Sequence, residues 1–146
     1  IAALGVILIG LFLLWLVAAW AIYQSTLGTI LPAAPAPASF LQAVFFTEPG
    51  QAMIVMGMVI GFFFALLAMM LSVVSFPLLV DRDIGLDTAI KTSFRAVIAN
   101  PGPMALWGLV VAVALLAGSL LVFVGLMVAV PVLGHATWHL YRKIVV

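Results

Sequence analysis

With 146 residues, 68% of them hydrophobic and only 6% charged, the chain departs far from the roughly 45–50% apolar and 25% charged composition of soluble domains. That marks it as an integral membrane protein, one membrane-embedded domain over residues 1–146, with room for a handful of spans and none for a separate soluble domain. The absence of cysteine excludes disulfides, thiolate metal sites and cysteine nucleophiles, and a net charge of +1 argues against nucleic-acid binding through a basic face.

Ile1 opens directly into apolar sequence, without the basic segment that begins a signal peptide. Residues 1–23 are uncharged and, at about 1.5 Å per residue, long enough to cross a hydrocarbon core of roughly 30 Å. They form the first expected span. Trp15, Trp20 and Tyr23 crowd its second half, at the level aromatic rings favour. From Gln24 to Gln51, Pro32, Pro35, Pro37 and Pro49 interrupt regular structure, and a connecting loop is expected. Within it, "SFLQAVFFT" (39–47) reads either as one or two amphipathic turns capped by Ser39 or as an ordered apolar loop.

The second span is expected over 52–80. Its Pro77 lacks an amide and leaves the carbonyl four residues earlier without a partner, so the helix should bend, with Ser72 and Ser75 near enough to satisfy freed groups. Gly57 and Gly61 form a Gly-xxx-Gly pair, a spacing that lets another helix approach closely.

"DRDIGLDTAIKTSFRAVIANPGP" (81–103) carries most of the chain's charge and belongs in water or at the interface. Asp87 suits a helix N-cap, and Ile90, Phe94, Val97 and Ile98 follow at helical spacing, so a short amphipathic helix over 87–99 is expected to lie on the membrane surface. Asp87 and Lys91 stand four apart, as an ion pair requires. Asn100-Pro101-Gly102-Pro103 ends the helix.

Met104 to Tyr141 is free of formal charge. As one helix it would reach about 57 Å, nearly twice the hydrocarbon thickness. Cytoplasmic loops collect Lys and Arg, and all five cations, Arg82, Lys91, Arg95, Arg142 and Lys143, fall on one side only if 104–120 crosses outward and 124–141 crosses back. Four spans follow, with both ends cytoplasmic and a tight turn near Gly118 to Phe123. The fold class is therefore all-α, a polytopic transmembrane bundle of about four spans plus one interfacial amphipathic helix.

The chemistry-bearing candidates gather at the end of the chain. His135 and His139 share one helix face and have a metal-chelating spacing, yet the nearest acids in sequence are Asp81, Asp83 and Asp87, and neither a zinc-protease motif nor a haem-attachment motif is present. The competing reading is an anchor: Trp138 and Tyr141 at headgroup level, Arg142 and Lys143 reaching lipid phosphates. An ion pair of Arg142 with Asp81 or Asp83, beside Arg82, would tie the last span to the second. For catalysis, Ser75 and Ser119 lack an arguable base and orienting acid. For transport, the expected spans carry no ionisable or amide side chain in their cores.

Three stretches, "SVVSFPLLVDRD" (72–83), "RAVIANPGPMALWG" (95–108) and "VLGHATWHLYRKIV" (132–145), resemble the C-terminal half of a family of bacterial integral membrane proteins, commonest in alphaproteobacteria. The resemblance implies further membrane sequence before Ile1. Some members carry a cytochrome-oxidase-like label; this chain lacks the six histidines of a haem–copper subunit, so the label points at most to association. No catalytic residue carries over. The composite expectation is a non-catalytic accessory or assembly subunit of a bacterial inner-membrane complex, respiratory or photosynthetic. It would need no cofactor, with membrane lipids and other integral subunits as partners; a small transporter or channel, or a metal- or haem-binding protein, are the alternatives.

Overall fold

The computed structural model describes residues 1–120 and 123–145, and no strand occurs among them. Seven α-helices follow in order: α1 (Ala2–Ser25), α2 (Pro37–Phe46), α3 (Glu48–Ser72), α4 (Ser75–Asp81), α5 (Leu86–Ala99), α6 (Pro101–Leu120) and α7 (Leu126–Val145), with a short 3-10 turn at Leu27–Thr29. Among the described residues three segments are long and apolar enough to cross a membrane: Ala2–Ser25, Glu48–Asp81 and Pro101–Leu120. The polypeptide divides into two compact units, residues 6–67 and residues 1–5 with 68–146.

In the 6–67 unit, the segment expected as a loop contains α2. Pro37 occupies its first turn behind an Ala36 cap, and Ser39 donates its hydroxyl to the Ala36 carbonyl at 2.8 Å. Ser39 is therefore not the cap: proline, with φ fixed near the helical value, starts the helix two residues earlier. Leu27, Ala43 and Val44 are buried here, with Tyr23, Phe40, Met53 and Ile54 packed around them. Thr47 joins α2 to α3, donating to the Ala43 carbonyl at 2.6 Å and accepting from the Gly50 amide at 3.2 Å. That last bond caps α3 at its third amide. A Cβ at Gly50 would overlap the carbonyls of Ala43 and Val44, so the corner between the helices closes only on glycine.

The second unit is organised by Pro77. The α3 helix stops at Ser72, Val73 and Val74 form a turn, and α4 resumes at Ser75. The break lies where a proline ring displaces the carbonyl four residues before it. Ser72 adds to it by donating to the Ala68 carbonyl at 2.6 Å, a back-bond that favours bending. Val73, Val74 and Leu78 then form a core with Ala89, Ala96 and Val97 of α5, Met104 of α6 and Tyr141 of α7.

The start of α6 and the end of α7 thus share one core, which makes the two helices an antiparallel hairpin. At the far end a Cβ on Gly118 would lie 2.8 Å from Leu126 Cδ2 and 3.1 Å from the Gly125 carbonyl carbon, so the glycines set how closely the helices meet. The turn expected near 118–123 falls partly on residues 121 and 122, outside the described residues. Phe123 beyond them has φ 62°, a left-handed conformation that is costly for a bulky L-residue.

The protein itself covers only part of the apolar stripe expected on α5. Ala89, Ser93, Ala96 and Val97 are buried, whereas Ile98 is 66% exposed. Small side chains are what a close helix crossing admits, and the larger Ile90 and Phe94 are left half-buried at its flank. The cap also shifts: Gly85 is the N-cap and Asp87 sits in the first turn, where its charge still favours the positive end of the helix dipole.

Gly50→Val and Gly118→Val should each destabilise the full chain in detergent by about 1–3 kcal/mol through overpacking. Gly134→Ala, whose new methyl meets nothing within 4 Å, should stabilise α7 by up to about 1 kcal/mol. Thermal or denaturant unfolding followed by circular dichroism checks all three.

Candidate functional site

The polar chemistry of the second unit collects where α4, α5 and α7 meet. Breaking the α3–α4 ladder leaves the Val74 amide without a helical partner, and the buried Ser93 hydroxyl of α5 accepts from it at 3.2 Å. In return, the buried Ser75 hydroxyl donates to the Ala89 carbonyl at 3.1 Å. These two bonds clip α4 to α5. An unpaired buried amide costs about 1–3 kcal/mol and more in a lipid environment, so Ser93 removes a penalty that the break at Val73–Val74 creates.

Tyr141 supplies the clip to α7. Its ring is only 1% exposed, stacked obliquely on Trp138 at 5.6 Å between centroids, and its hydroxyl donates to Asp81 Oδ2 at 2.8 Å. The expectation that this tyrosine reaches the lipid headgroups gives way to an inward role. The tie between the last helix and the second long segment runs through Tyr141, not through Arg142: Asp81 instead faces Arg82 Nε at 3.7 Å, and Arg142 forms no ion pair among the described residues. Helical geometry accounts for the difference. Position 141 continues the inward stripe of Thr137 and Ile144, whereas 142 falls on the outer stripe with His135 and His139.

Both histidines are exposed. They share a face with Arg142, while Trp138 turns toward the core. Among the described residues no three or more of His, Asp and Glu gather as a metal centre would require, so the two imidazoles form a pair without a third protein ligand. Lys143 and Asp83 are exposed as well. On α5, Lys91 Nζ lies 3.3 Å from Asp87 Oδ2. That hydrogen bond, aided by the Thr88 amide and the lysine's charge, holds the Asp87 carboxyl below its ordinary range.

In the 6–67 unit, Gly57 and Gly61 line an open groove of about 220 Å³ with Trp15, Ala19 and Met53. The groove sits between α1 and α3. Nothing lies within 4 Å of where a Gly57 Cβ would stand, and only Trp15 Nε1, at 3.9 Å, approaches that of Gly61. The pair therefore faces open space rather than a packed helix.

The sequence pointed to Asp81 and to the Asp87–Lys91 pair but not to Ser93. A serine amid Ala89, Ala96 and Val97 reads as one more small residue until the broken amide opposite it is known. A profile described as "Predicted integral membrane protein (DUF2189)" matches residues 1–81. No curated protein and no solved structure matches the chain.

Ser93→Ala should cost about 1–3 kcal/mol, and Tyr141→Phe about 1 kcal/mol, the latter reduced because Asp81 remains partly hydrated. The Tyr141 loss should shrink in an Asp81→Asn background, as a double-mutant cycle of unfolding free energies would register. A depressed folded carboxyl stabilises above its unfolded pKa and ceases to do so as pH falls through the folded one. The Asp87–Lys91 contribution to the start of α5 should therefore be present at neutral pH and lost as pH falls through the Asp87 pKa, a dependence that Lys91→Gln abolishes and that backbone chemical shifts of residues 86–91 followed through an acid titration would register.

Proposed function

The chain belongs to the DUF2189 family of predicted integral membrane proteins, and on that footing we propose that it is a non-catalytic accessory or assembly subunit of a bacterial inner-membrane complex, respiratory or photosynthetic. One observation carries the reading. The most apolar 18-residue stretch of Glu48–Asp81 has no residue buried within the protein, and its Gly57–Gly61 face opens on the groove beside Trp15 and Ala19. Small residues at helical spacing provide close van der Waals packing for a neighbouring transmembrane helix, and here the chain itself does not use them. The groove lining contains no ionisable or amide side chain, which suits packing rather than solute transfer.

In this reading the protein crosses the membrane four times, α7 being the returning fourth span, and both described ends face the cytoplasm. The antiparallel α6–α7 hairpin supports it, since it returns Arg142 and Lys143 to the end where Arg82, Lys91 and Arg95 lie. The last turn of α7 then reaches the interface, with Arg142 and Lys143 at headgroup level.

Mild-detergent extraction of the full chain from its native membrane, followed by native electrophoresis and mass spectrometry, should find it in a larger assembly. Gly57→Leu with Gly61→Leu should release it from that assembly without altering its helicity. Isolation of the wild type as an inert monomer would remove the proposal. The natural lack of cysteine also makes single introduced cysteines clean topology probes: positions 83 and 143 should label from one side and position 34 from the other.

A further inference from the structure

Helix α5 packs on α4 and α6, and α7 packs on the same two helices. Between α5 and the last turn of α7 an open groove of about 380 Å³ remains, lined by Thr92, Arg95, Ala96, Ala99, Asn100 and Ile144. The lining has two characters: Arg95 and Asn100 offer polar donors, while Ala96, Ala99 and Ile144 form an apolar wall.

The donors are available. Arg95 is exposed and enters no ion pair among the described residues, leaving five N–H groups in a planar fork that matches a phosphate's oxygens. The Asn100 amide nitrogen donates one bond to the Ala96 carbonyl at 2.9 Å, and its other N–H is left over. No acid occupies the guanidinium: among the described residues Asp81, Asp83 and Asp87 form no ion pair with Arg95. Arg142 and Lys143, both exposed, immediately precede Ile144 and add positive potential at the same end.

We propose that this groove binds the phosphate of an anionic phospholipid, with Arg95 as the principal phosphate ligand, Asn100 as a second donor, and the glycerol and upper acyl chains against Ala96, Ala99 and Ile144. The charge selects an anion, and the apolar wall selects one carrying hydrocarbon. The position completes the case: the groove lies where α5 ends and the apolar helix α6 begins, the depth at which a span passes from hydrocarbon to headgroups. This site is independent of the α1–α3 groove and of any partner subunit.

The test uses the full chain, purified and delipidated in detergent, titrated with phosphatidylglycerol, phosphatidylcholine and inorganic phosphate, with binding read by native mass spectrometry. Phosphatidylglycerol should bind at least about fivefold more tightly than phosphatidylcholine, the effect of one cation at an anionic headgroup. Arg95→Gln should erase that preference, Arg95→Lys should restore part of it, and Lys91→Gln, outside the groove, should leave it intact; circular dichroism confirms that each variant is folded. Equal binding of the two lipids would refute the site, as would an Arg95→Gln protein that is folded and still selective. So would an equal loss in Lys91→Gln, which would indicate diffuse charge, or inorganic phosphate binding as tightly as phosphatidylglycerol, which would indicate a soluble ligand.

Discussion

The proline at position 77, which breaks the helix at Val73 and Val74, is the constraint on which the second unit depends. A helix running unbroken from Glu48 would carry its apolar surface past the polar segment that follows, with no reason to turn against α5. The proline ring cannot sit against the Val73 carbonyl, the ladder opens at Val73 and Val74, and the Val74 amide, off the ladder, takes an acceptor in a place where water is scarce. Ser93 supplies it, and Ser75 answers with a bond to the Ala89 carbonyl. The orientation of α4 against α5 follows from satisfying these groups, and with it the placement of Asp81 within reach of Tyr141.

Two kinds of packing coexist in the chain. At the polar end the protein buries its own residues: Val74, Leu78, Ala89, Met104 and Tyr141 form a core of the kind found in water-soluble proteins. Along the long apolar helices it buries almost nothing, and large side chains such as Val6, Phe62, Phe63, Leu106 and Leu116 all stand more than 60% exposed. In water this would be prohibitive at roughly 25 cal/mol per Å²; in a bilayer, hydrocarbon or a neighbouring helix covers the same surface at no such cost. The glycine contacts divide likewise. Gly50, Gly118 and Gly125 are pressed against backbone, whereas Gly57 faces open space.

Much of the architecture was legible in advance because the bilayer makes composition into geometry. Long uncharged runs had to be helices, the charged stretch over 81–103 had to leave the hydrocarbon, and the expected surface helix over 87–99 differs from Leu86–Ala99 by one residue. The details of the site were less legible. Period alone marked Ile90, Phe94, Val97 and Ile98 as the apolar stripe of α5 but gave no sign that α4 would approach over Ala89, Ser93 and Ala96. Charge alone suggested Arg142 as the partner of Asp81, where a neutral tyrosine one position earlier holds it.

What the sequence determined by itself was the solvent and the secondary structure: membrane residence from the scarcity of charge, helix from the need to satisfy every backbone group within a segment, and a break from the proline at position 77. Tertiary structure decided which side chains complete one another across elements. The pairing of Val74 with Ser93, of Tyr141 with Asp81, and the opening of a groove beside Arg95 join residues far apart in the chain, and no local pattern records such distances. They depend on where a broken helix lands, which is set by the packing of all its neighbours at once.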